Sequence, residues 1–302
     1  MTSGDPSTAA TVKIAAGMRN FEILAAAAEK NITVVTGADP NVGIGGWITG
    51  GGHGPLSSLY GLGADQAISM EVVTADGRLL QIDQNHHRDL FWAMRGVSQY
   101  LHNDISHSTK LTIIQGGGST FAVLVSVTVR AYPSIPFTQY LFSYNTTSDS
   151  ETFWDLTTLF HTYLPSISEA GAASYYYARP LVPNEPNPAK RGQLQGVFVL
   201  PKKTSAEAIA IMQPLEDAIN ASTFADKVYI SGLPISFPSF SPVWAANPPQ
   251  DVGTSLRFGS RLLDKVALTS NIPKLKAALR TSTPAPWTLL GHLVAGPGPR
   301  NV

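Results

Sequence analysis

A glycine-rich stretch from Val42 to Gln66, "VGIGGWITGGGHGPLSSLYGLGADQ", holds the residues of this sequence that most directly suggest chemistry. Glycine lets the backbone adopt positive φ and approach a ligand without a Cβ atom in the way. Successive amide N–H groups in such a loop can face the oxygen atoms of a phosphate-bearing cofactor. The stretch has neither the Lys-Ser/Thr pair of a Walker loop nor the strand-to-helix setting of a nicotinamide dinucleotide fingerprint. It therefore predicts cofactor binding through the main chain in a different type of cradle.

One histidine, His53, lies within this stretch and allows three interpretations. A metal ligand at this position would need a second ligand four residues away or a local cluster of histidines and carboxylates, and the sequence offers neither. A general base would need an acid that orients the imidazole, and none is close in sequence. His86 and His87 lie in a separate polar turn. We therefore expect His53 to pack in the fold or to touch a cofactor, and we predict no metal site.

The composition excludes several classes of function. Lys and Arg total 21 and Asp and Glu also total 21, so no net charge attracts nucleic acid or an anionic membrane. The absence of cysteine excludes disulfides, thiolate catalysis and thiolate metal sites. No run of about 18 apolar residues predicts a membrane span, and residues 1–17 lack the pattern of a signal peptide. No Gly-x-Ser-x-Gly motif supports a hydrolase.

Strand and helix patterns alternate in the first part of the chain. "TVKIAAG" predicts a strand, and "NFEILAAAAEKN" predicts a helix with Asn20 as its N-cap and Asn31 as its end. Apolar periodicity predicts the face of this helix that is buried. The residues of that face are Phe21, Leu24, Ala25 and Ala28.

The following elements complete a mixed domain. "AISMEVVTADGRLLQID" predicts two strands joined by a hairpin, because Asp76 and Gly77 tolerate the positive φ that such a turn demands. "RDLFWAMRG" predicts a short helix with Phe91, Trp92 and Met94 turned inward. "FAVLVSVTVRAYPS" predicts a buried strand that a proline closes. Residues 1–135 are therefore predicted to form one domain of helices and strands.

Proline-rich loops mark a second domain, residues 136–302. The loops are "PLVPNEPNPAK" and "PISFPSFSPVWAANPPQ", and between them "LQGVFVLP" predicts a strand and "SAEAIAIMQPLEDAINAS" a helix. The aromatic cluster "ASYYYARP" favours a strand. We predict an α+β fold for this domain, with a boundary between residues 134 and 138.

The order of several motifs is more specific than any one of them. "VGIGGWITGGGHGPLSSLYGLGADQ", "EVVTADGRLLQ", "DLFWAMRG" and "GGGSTFAVLVSVTVRAYP" together closely resemble the FAD-linked oxidases of the vanillyl-alcohol-oxidase type, in particular their fungal berberine-bridge-enzyme-like branch. The resemblance extends over residues 11–135. It implies an α+β protein with a partial PCMH-type FAD-binding domain in residues 1–135. The substrate domain in residues 136–302 would then contribute a large antiparallel sheet that covers the isoalloxazine ring.

The resemblance also implies which residues bind FAD. The flavin-contacting loop of the family matches "NVGIGGW". The residues that it places near the ring or the pyrophosphate are Val42, Gly43, Gly45 and Gly46. The residues that it expects to pack against the cofactor are Gly50, Gly51, Gly52, His53 and Gly54. The backbone of Val123 matches a position that meets the adenosine part of FAD.

Three departures from the family concern covalent attachment and the chain ends. Some members carry a cysteine bonded to flavin C6 at the position of Gly43, and this chain has no cysteine, so no cysteinyl bond can form. The histidine that bonds the flavin in many members lies in a segment that would precede "TVKIAAG", and we expect that segment to be absent. We also expect the C-terminal segment that returns to the flavin domain to be absent. The sequence is therefore interpreted as truncated at both ends.

A further departure is the segment "VSQYLHNDISHSTKLTIIQ", residues 97–115, at a point where the family runs from "LFWALRG" directly into "GGGTFG". Val-Ser can be encoded by GTGAGT, Leu-Thr by CTGAC and Gln by CAG, which are the donor, branch and acceptor signals of a short fungal intron. Removal of the segment restores "RGGGGSTFAVL". A retained intron and a surface loop are the two hypotheses. Sequencing of the transcript would decide between them.

The expected function follows from the resemblance. It implies an FAD-dependent oxidoreductase that moves hydride from an alcohol or amine C–H of a small-molecule substrate to flavin N5, with oxygen as electron acceptor and secondary metabolism as the setting. The catalytic base is not identified. Tyr175, Tyr176 and Tyr177 are candidates because one face of their strand would point at the ring, although we expect at least one of them to pack in the core. The alternative is a catalytically inactive fragment that binds no flavin.

Overall fold

The computed structural model describes residues 10–96, 118–147, 150–246 and 259–300. These residues form two compact units. The first unit consists of residues 10–96, 118–134 and 239–246, and the second unit consists of residues 135–147, 150–238 and 259–300. The hypotheses of a retained intron or a surface loop at 97–115 concern residues outside this described part.

The first unit combines short helices with an antiparallel sheet. Its strands are β1 (Thr11–Ala15), β2 (Ile32–Thr33), β3 (Ala67–Thr74), β4 (Leu79–Asp83), β5 (Ala122–Arg130) and β6 (Tyr132–Pro133). Its helices include α1 (Asn20–Glu29), α2 (Ile44–Thr49), α3 (Ser57–Tyr60), α4 (Gly63–Gln66) and α5 (Arg88–Met94). The four-stranded sheet has the order β1-β5-β3-β4, and β2 pairs with β6.

Strands β3 and β4 form the hairpin that the sequence predicts. Gly77 adopts a φ of 83°. The N–H of Thr74 donates to the carbonyl of Arg78 at 3.0 Å and closes the turn. The Arg78 guanidinium also contacts the Asp76 carboxylate at 2.6 Å. Gly77 therefore acts as predicted, since glycine accepts the positive φ at no steric cost. Asp76 does not adopt a positive φ and instead accepts hydrogen bonds through its carboxylate.

Helix α1 begins and ends where the sequence predicts, but its cap is different. The helix follows the extended residue Arg19, whose N–H donates to the Glu22 carboxylate at 2.8 Å. Asn20 is fully buried, and its Nδ2 donates to the Asp39 carbonyl at 2.8 Å. The prediction that Asn20 is the N-cap is therefore wrong. Asn31, with a φ of 54°, ends the helix as predicted.

The buried face of α1 also differs from the predicted one. The buried residues are Asn20, Ile23, Leu24 and Ala27. Ala25 is exposed, and Phe21 is half-buried with the Arg19 guanidinium over its ring at 4.8 Å. A run of alanines gives a helix several similar apolar faces, so the bulky Ile23 decides which face is buried. Of the predicted face, only Leu24 is fully buried.

Two further predictions of buried side chains, one on a helix and one on a strand, are wrong because of how side chains are arranged around these elements. Helix α5 buries Phe91 and Met94, but Trp92 is 47% exposed because neighbouring helix positions point about 100° apart. Strand β5 is buried on one face only, since side chains alternate along a strand. Val127 is buried, whereas Val123 is 67% exposed.

The second unit is built on a five-stranded antiparallel sheet of the order β10-β7-β9-β8-β11. Its strands are β7 (Phe137–Thr146), β8 (Ala173–Arg179), β9 (Gly192–Pro201), β10 (Tyr229–Phe237) and β11 (Leu289–Leu293). Its helices are α6 (Glu151–Glu169), α7 (Ser205–Asn220), α9 (Lys265–Thr269), α10 (Ile272–Ser282) and α11 (Pro297–Arg300). The predicted strands "LQGVFVLP" and "ASYYYARP" and the predicted helix in "SAEAIAIMQPLEDAINAS" are confirmed as β9, β8 and α7. The α+β class with a large antiparallel sheet is confirmed as well.

An aromatic core joins α6, α7, α9 and α10 to one face of this sheet. The ring centroids of Phe142 and Phe160 lie 5.3 Å apart, and those of Phe142 and Phe198 lie 5.1 Å apart. Such pairs add specific aromatic contacts to the burial of apolar surface. Among the described helices, none combines the length and the apolar character that crossing a lipid bilayer requires.

Helix α6 is the longest helix described, and the sequence analysis does not predict it. Its many threonine and aromatic residues have modest helix propensities. Ser150 caps the helix by accepting the N–H of Phe153 at 3.1 Å. Phe153, Leu156 and Phe160 are fully buried. The helix is therefore stabilised by its cap and by tertiary packing, which propensity does not capture.

Helix α8 (Phe240–Ala245) belongs to the first unit, although its sequence lies within the predicted second domain. The hydroxyl of Ser241 donates to the Ile32 carbonyl at 2.9 Å. The indole Nε1 of Trp244 donates to the Ala38 carbonyl at 3.0 Å. These contacts lie far apart in sequence, so local patterns do not reveal them.

Candidate functional site

The glycine loop is attached to the start of α1 by main-chain hydrogen bonds. The N–H of Asn20 donates to the Val42 carbonyl at 3.0 Å, and the N–H of Ile44 donates to the Met18 carbonyl at 2.9 Å. Gly43 forms an isolated β-bridge with Arg19. These bonds fix the first turn of α2, which begins directly after Gly43.

Helix α2 has an apolar buried face and an exposed glycine face. Ile44 and Ile48 are fully buried. Gly43, Gly46 and Gly50 are exposed, and their spacing places them on one side of the helix. A Cβ atom added to Gly43 or Gly46 would meet no atom within 4 Å. We call these three residues the glycine face, and the space beside Gly43 and Gly46 is open.

Gly45 connects this region to the four-stranded sheet. A Cβ atom on Gly45 would lie 3.0 Å from the carbonyl oxygen of Ala16. The N–H of Ala16 donates to the carbonyl of Val125 at 2.9 Å. Val123, two residues earlier in β5, is exposed and pairs with Val73. The structure thus brings the start of β5 close to α2. The assignment of Val123 to the adenosine part of FAD stays a prediction.

The chain turns sharply after α2. Gly51 and Gly52 adopt φ angles of 93° and 65°, which other residues rarely adopt. A Cβ atom on Gly52 would lie 2.8 Å from the ring of Trp47. The Nε1 of Trp47 donates to the His53 carbonyl at 2.9 Å. These glycines are therefore required by the turn and by the position of the indole.

Two more glycines are explained by internal packing. A Cβ atom on Gly54 would overlap the carbonyl oxygen of Thr36. A Cβ atom on Gly63 would lie 2.5 Å from the ring of Trp47. Their smallness lets two segments of backbone and one indole pack together, and this role requires no ligand.

His53 lies at the end of this turn and is solvent-exposed. Atoms packed around its ring lower the pKa of the imidazole below its ordinary value, although the residue keeps an open surface. Among the described residues, no group of three or more metal-ligating side chains comes together. The expectation that His53 packs or touches a cofactor stays a prediction.

A stacked tyrosine pair in the same unit is not among the features that the sequence predicts. The ring centroids of Tyr60 and Tyr132 lie 3.7 Å apart with an angle of 13° between the planes. The Tyr132 hydroxyl donates to Gln66 Oε1 at 2.7 Å, and Gln66 Nε2 donates to the Tyr60 carbonyl at 2.8 Å. Burial, reinforced by the neighbouring Tyr132, raises the pKa of Tyr60 to about 12. No local pattern could have found a pair so far apart in sequence.

The three tyrosines of β8 point to alternate faces of the second sheet. Tyr176 is buried, and its hydroxyl donates to His161 Nε2 at 2.9 Å. The other ring nitrogen of His161 donates to the Thr157 carbonyl at 2.7 Å. Burial lowers the pKa of His161 to about 4, so the ring is neutral near pH 7. Tyr176 therefore has a packing role, as expected for at least one of the three.

Tyr175 and Tyr177 lie on the opposite face of the sheet. The ring of Tyr175 meets that of His292 edge-on, with centroids 5.1 Å apart. The Arg179 guanidinium lies over the Tyr177 ring at 4.5 Å. Tyr177 is 36% exposed. These two tyrosines thus remain candidates for contact with a substrate.

The glycine face of α2 fits the FAD that the resemblance implies. Side chains at Gly43 and Gly46 would project into open space, and their absence leaves room for a flat ring or a phosphate. Main-chain N–H groups next to glycine can approach the carbonyl oxygens of a flavin or the oxygens of a pyrophosphate. The residues present are therefore compatible with the cofactor.

Comparison with known proteins identifies FAD-linked relatives of the chain. Residues 4–83 match the family described as an FAD binding domain. The chain is 31% identical over 299 residues to an uncharacterized FAD-linked oxidoreductase of Arthroderma benhamiae, and the alignment covers 94% of this chain and 46% of that protein.

Solved structures of flavoproteins resemble the fold. The VAO-type flavoprotein MtVAO713 from Myceliophthora thermophila C1 matches with a TM-score of 0.76 and 26% identity, over 89% of this chain and 44% of that chain. BBE-like 1 of Physcomitrella patens matches with a TM-score of 0.58 and 18% identity, over 77% of this chain and 42% of that chain, and shows the fold alone. The chain spans less than half the length of these three proteins. It belongs to the FAD-linked oxidoreductases of the vanillyl-alcohol-oxidase type.

Proposed function

We propose that the protein is an FAD-dependent oxidase of a small-molecule alcohol or amine. Residues 1–135, together with α8, would bind the cofactor, and the remainder of residues 136–302 would bind the substrate. The observation that carries the proposal is the open space beside Gly43 and Gly46 on the glycine face of α2. Glycines that no internal contact requires are expected where a ligand approaches the backbone.

The proposed cofactor contacts divide into two groups. Gly43 and Gly46 leave room for FAD, because a Cβ atom there would enter open space. The other proposed residues would form or border the FAD-binding surface around the glycine face. They are Val42, Gly45, Gly50, Gly51, Gly52, His53, Gly54 and Val123.

The chemistry that FAD supplies in such an enzyme is acceptance of a hydride at N5 from the substrate carbon, with oxygen as the final electron acceptor. The residues of this chain would hold the substrate, exclude water and accept the proton of the reacting hydroxyl or amine. Burial raises the pKa of Tyr175, so its hydroxyl stays protonated at neutral pH. Tyr175 would therefore not act as the resting base.

Reconstitution tests the proposal. The purified chain is incubated with FAD, freed of excess cofactor and examined for flavin absorbance. A substrate panel of alcohols and amines is then added without oxygen. We expect at least one compound to bleach the flavin absorbance and oxygen to restore it with release of hydrogen peroxide.

The rival hypothesis is a catalytically inactive fragment. It predicts a colourless protein that takes up no FAD. A protein that retains FAD but is bleached by no alcohol or amine would also contradict the proposed oxidase function, while leaving cofactor binding intact.

A further inference from the structure

Trp47 in α2 packs its indole against glycines from three different parts of the chain. A Cβ atom would lie 3.0 Å from the indole Nε1 at Gly37, 2.8 Å from Cδ2 at Gly52 and 2.5 Å from Cζ3 at Gly63. The ring therefore occupies the space in which a side chain at Gly52 or Gly63 would lie. We call Gly37, Gly52 and Gly63 the indole slot, since the main chain of three segments packs directly on the ring.

Each carbonyl of residues 51–53, the turn that follows α2, accepts a hydrogen bond from outside the turn. The donors are the N–H of Ala64 to Gly51 at 2.9 Å, the N–H of Gly63 to Gly52 at 2.7 Å and Trp47 Nε1 to His53 at 2.9 Å. The first two donors belong to the main chain, and the third is a side chain. Substitution of Trp47 therefore removes one of these bonds and leaves the main-chain donors in place.

Residues 50–54 have little rigidity of their own. Four of the five are glycine, which loses more conformational freedom on folding than any other residue. Gly51 and Gly52 adopt positive φ angles of 93° and 65°. The conformation of this segment therefore depends on groups that hold it from outside, and the indole contacts both Gly52 and His53.

The same segment begins where the glycine face ends. Gly50 is the last residue of the glycine face, and its N–H donates to the Gly46 carbonyl at 3.1 Å. Trp47 directly follows Gly46 in the chain. One residue thus connects the helix that carries the glycine face to the segment that the proposed function places beside FAD.

We propose that Trp47 is a positioning residue for FAD binding, because its indole holds residues 50–54 in the conformation that borders the cofactor. This role rests on the proposed function. The indole acts through the His53 carbonyl and the indole slot, and a contact of its own with FAD is not required. A segment that is already held in its binding conformation incurs a smaller entropic cost when the ligand binds, so the affinity is higher.

Trp47→Phe tests this role. The phenyl ring keeps an aromatic group beside Gly52 but has no N–H to donate, so the His53 carbonyl loses its partner. We expect the FAD affinity of the full chain, measured by quenching of flavin fluorescence, to fall at least about tenfold. The titration is done well below the melting temperature of each variant, so that all of them are folded.

Deuterium uptake without FAD examines the turn by itself. We expect residues 50–64 to exchange faster in Trp47→Phe than in the wild type, because the bonds that hold the turn open more often. The residues of β3, in the same unit, should exchange alike in both proteins. This readout does not depend on a bound cofactor.

Gly63→Ala disturbs the same contact from the other partner. Its methyl would lie 2.5 Å from Cζ3 and 2.6 Å from Cη2 of the indole, so the ring must move. We expect the FAD affinity to fall at least about fivefold, although the indole N–H is still present. This variant also tests the role if Trp47→Phe does not fold, since an affinity equal to that of the wild type would contradict it.

The double variant Trp47→Phe with Gly63→Ala tests whether both residues act on one contact. A phenyl ring lacks the outer atoms that the new methyl would meet, so the methyl fits beside it. We expect the double variant to bind FAD no more weakly than Trp47→Phe alone. A loss equal to the product of the two single losses would show that the residues act independently and would contradict the role.

Ile82→Ala is the control for a general loss of stability. Ile82 is fully buried in β4 of the same unit, and its truncation leaves a cavity that lowers the melting temperature. Its FAD affinity should stay within about twofold of the wild type. An equal loss of affinity in Ile82→Ala and Trp47→Phe would show that Trp47 only stabilises the fold.

Two further results would overturn the inference: equal FAD affinity of the wild type and Trp47→Phe, or unchanged deuterium uptake of residues 50–64. If the wild type binds FAD and Trp47→Phe binds it alike, the positioning role alone is contradicted. A wild type that binds no FAD contradicts the proposed function as well.

Discussion

At the scale of single residues, the loop glycines have two different physical roles. Gly52 and Gly54 are small because the Trp47 ring and the Thr36 carbonyl leave no space for a Cβ atom. Gly43 and Gly46 face open space, so internal packing does not explain them. The sequence shows only a glycine run, and the distinction depends on neighbours that the fold brings in.

This distinction predicts the effect of Gly54→Ala. The added methyl would overlap backbone, which cannot move as a side chain can, so we expect a loss of about 2 kcal/mol or more in the free energy of unfolding. Gly17→Ala is the control, because its methyl meets no atom within 4 Å. Denaturant unfolding checks both variants. Equal stability of the two would contradict the packing role of Gly54.

The buried pair of His161 and Tyr176 predicts a pH dependence of stability. Burial holds the pKa of His161 at about 4 in the folded chain, below its ordinary value of 6.5. Between these values the unfolded chain binds the proton and the folded chain does not. The stabilisation of the folded chain by the neutral His161 ring is therefore complete above pH 6.5 and is lost as the pH falls toward 4. Its full size is on the order of 3 kcal/mol.

The double variant His161→Phe with Tyr176→Phe tests this dependence, because it removes both hydrogen-bonding partners and leaves no buried donor unpaired. Unfolding is measured from pH 7 to pH 4. We expect the wild type to lose stability more steeply than the variant over this interval. Parallel curves would show that His161 does not carry the effect.

At the scale of elements, α2 combines a buried isoleucine face with a glycine face. Glycine inside a helix is less favourable than alanine by up to about 1 kcal/mol. Gly46→Ala should therefore raise the free energy of unfolding measured without FAD by about that amount, since its methyl meets no neighbour. A loss of stability would reveal a packing contact at Gly46 and would weaken the argument for a ligand there.

The sequence predicts which segments form helices and strands better than it predicts which of their side chains are buried. The β3–β4 hairpin and the C-terminal end of α1 at Asn31 follow from local turn chemistry, and both are confirmed. The N-cap of α1 is Arg19 and not the predicted Asn20. The inward face of α1 and the position of Trp92 depend on which neighbours arrive, and both predictions were wrong. Helix α6 was missed because its cap and its burial outweigh its weak propensity. The stacking of Tyr60 on Tyr132 is likewise a product of the fold.

At the scale of the whole molecule, the chain consists of two compact units, and α8 belongs to the first unit although the second unit surrounds it in sequence. The order of the motifs indicates the family from sequence alone, because several motifs that are weak individually become specific when they occur in the same order as in the family. Contacts such as that of Trp244 with Ala38 could not be predicted, since they link residues far apart in the chain.

The central claim is that FAD binds against the glycine face of α2, and a paired titration tests it most directly. Gly46→Leu fills the open space with a good helix former. Gly259→Leu is the matched control, because Gly259 is also exposed and open. Quenching of flavin fluorescence should show that the wild type and Gly259→Leu bind FAD alike. Gly46→Leu should bind at least about tenfold more weakly, with a melting temperature no lower than that of the wild type. Equal affinity of all three proteins, or no binding by the wild type, would contradict the account.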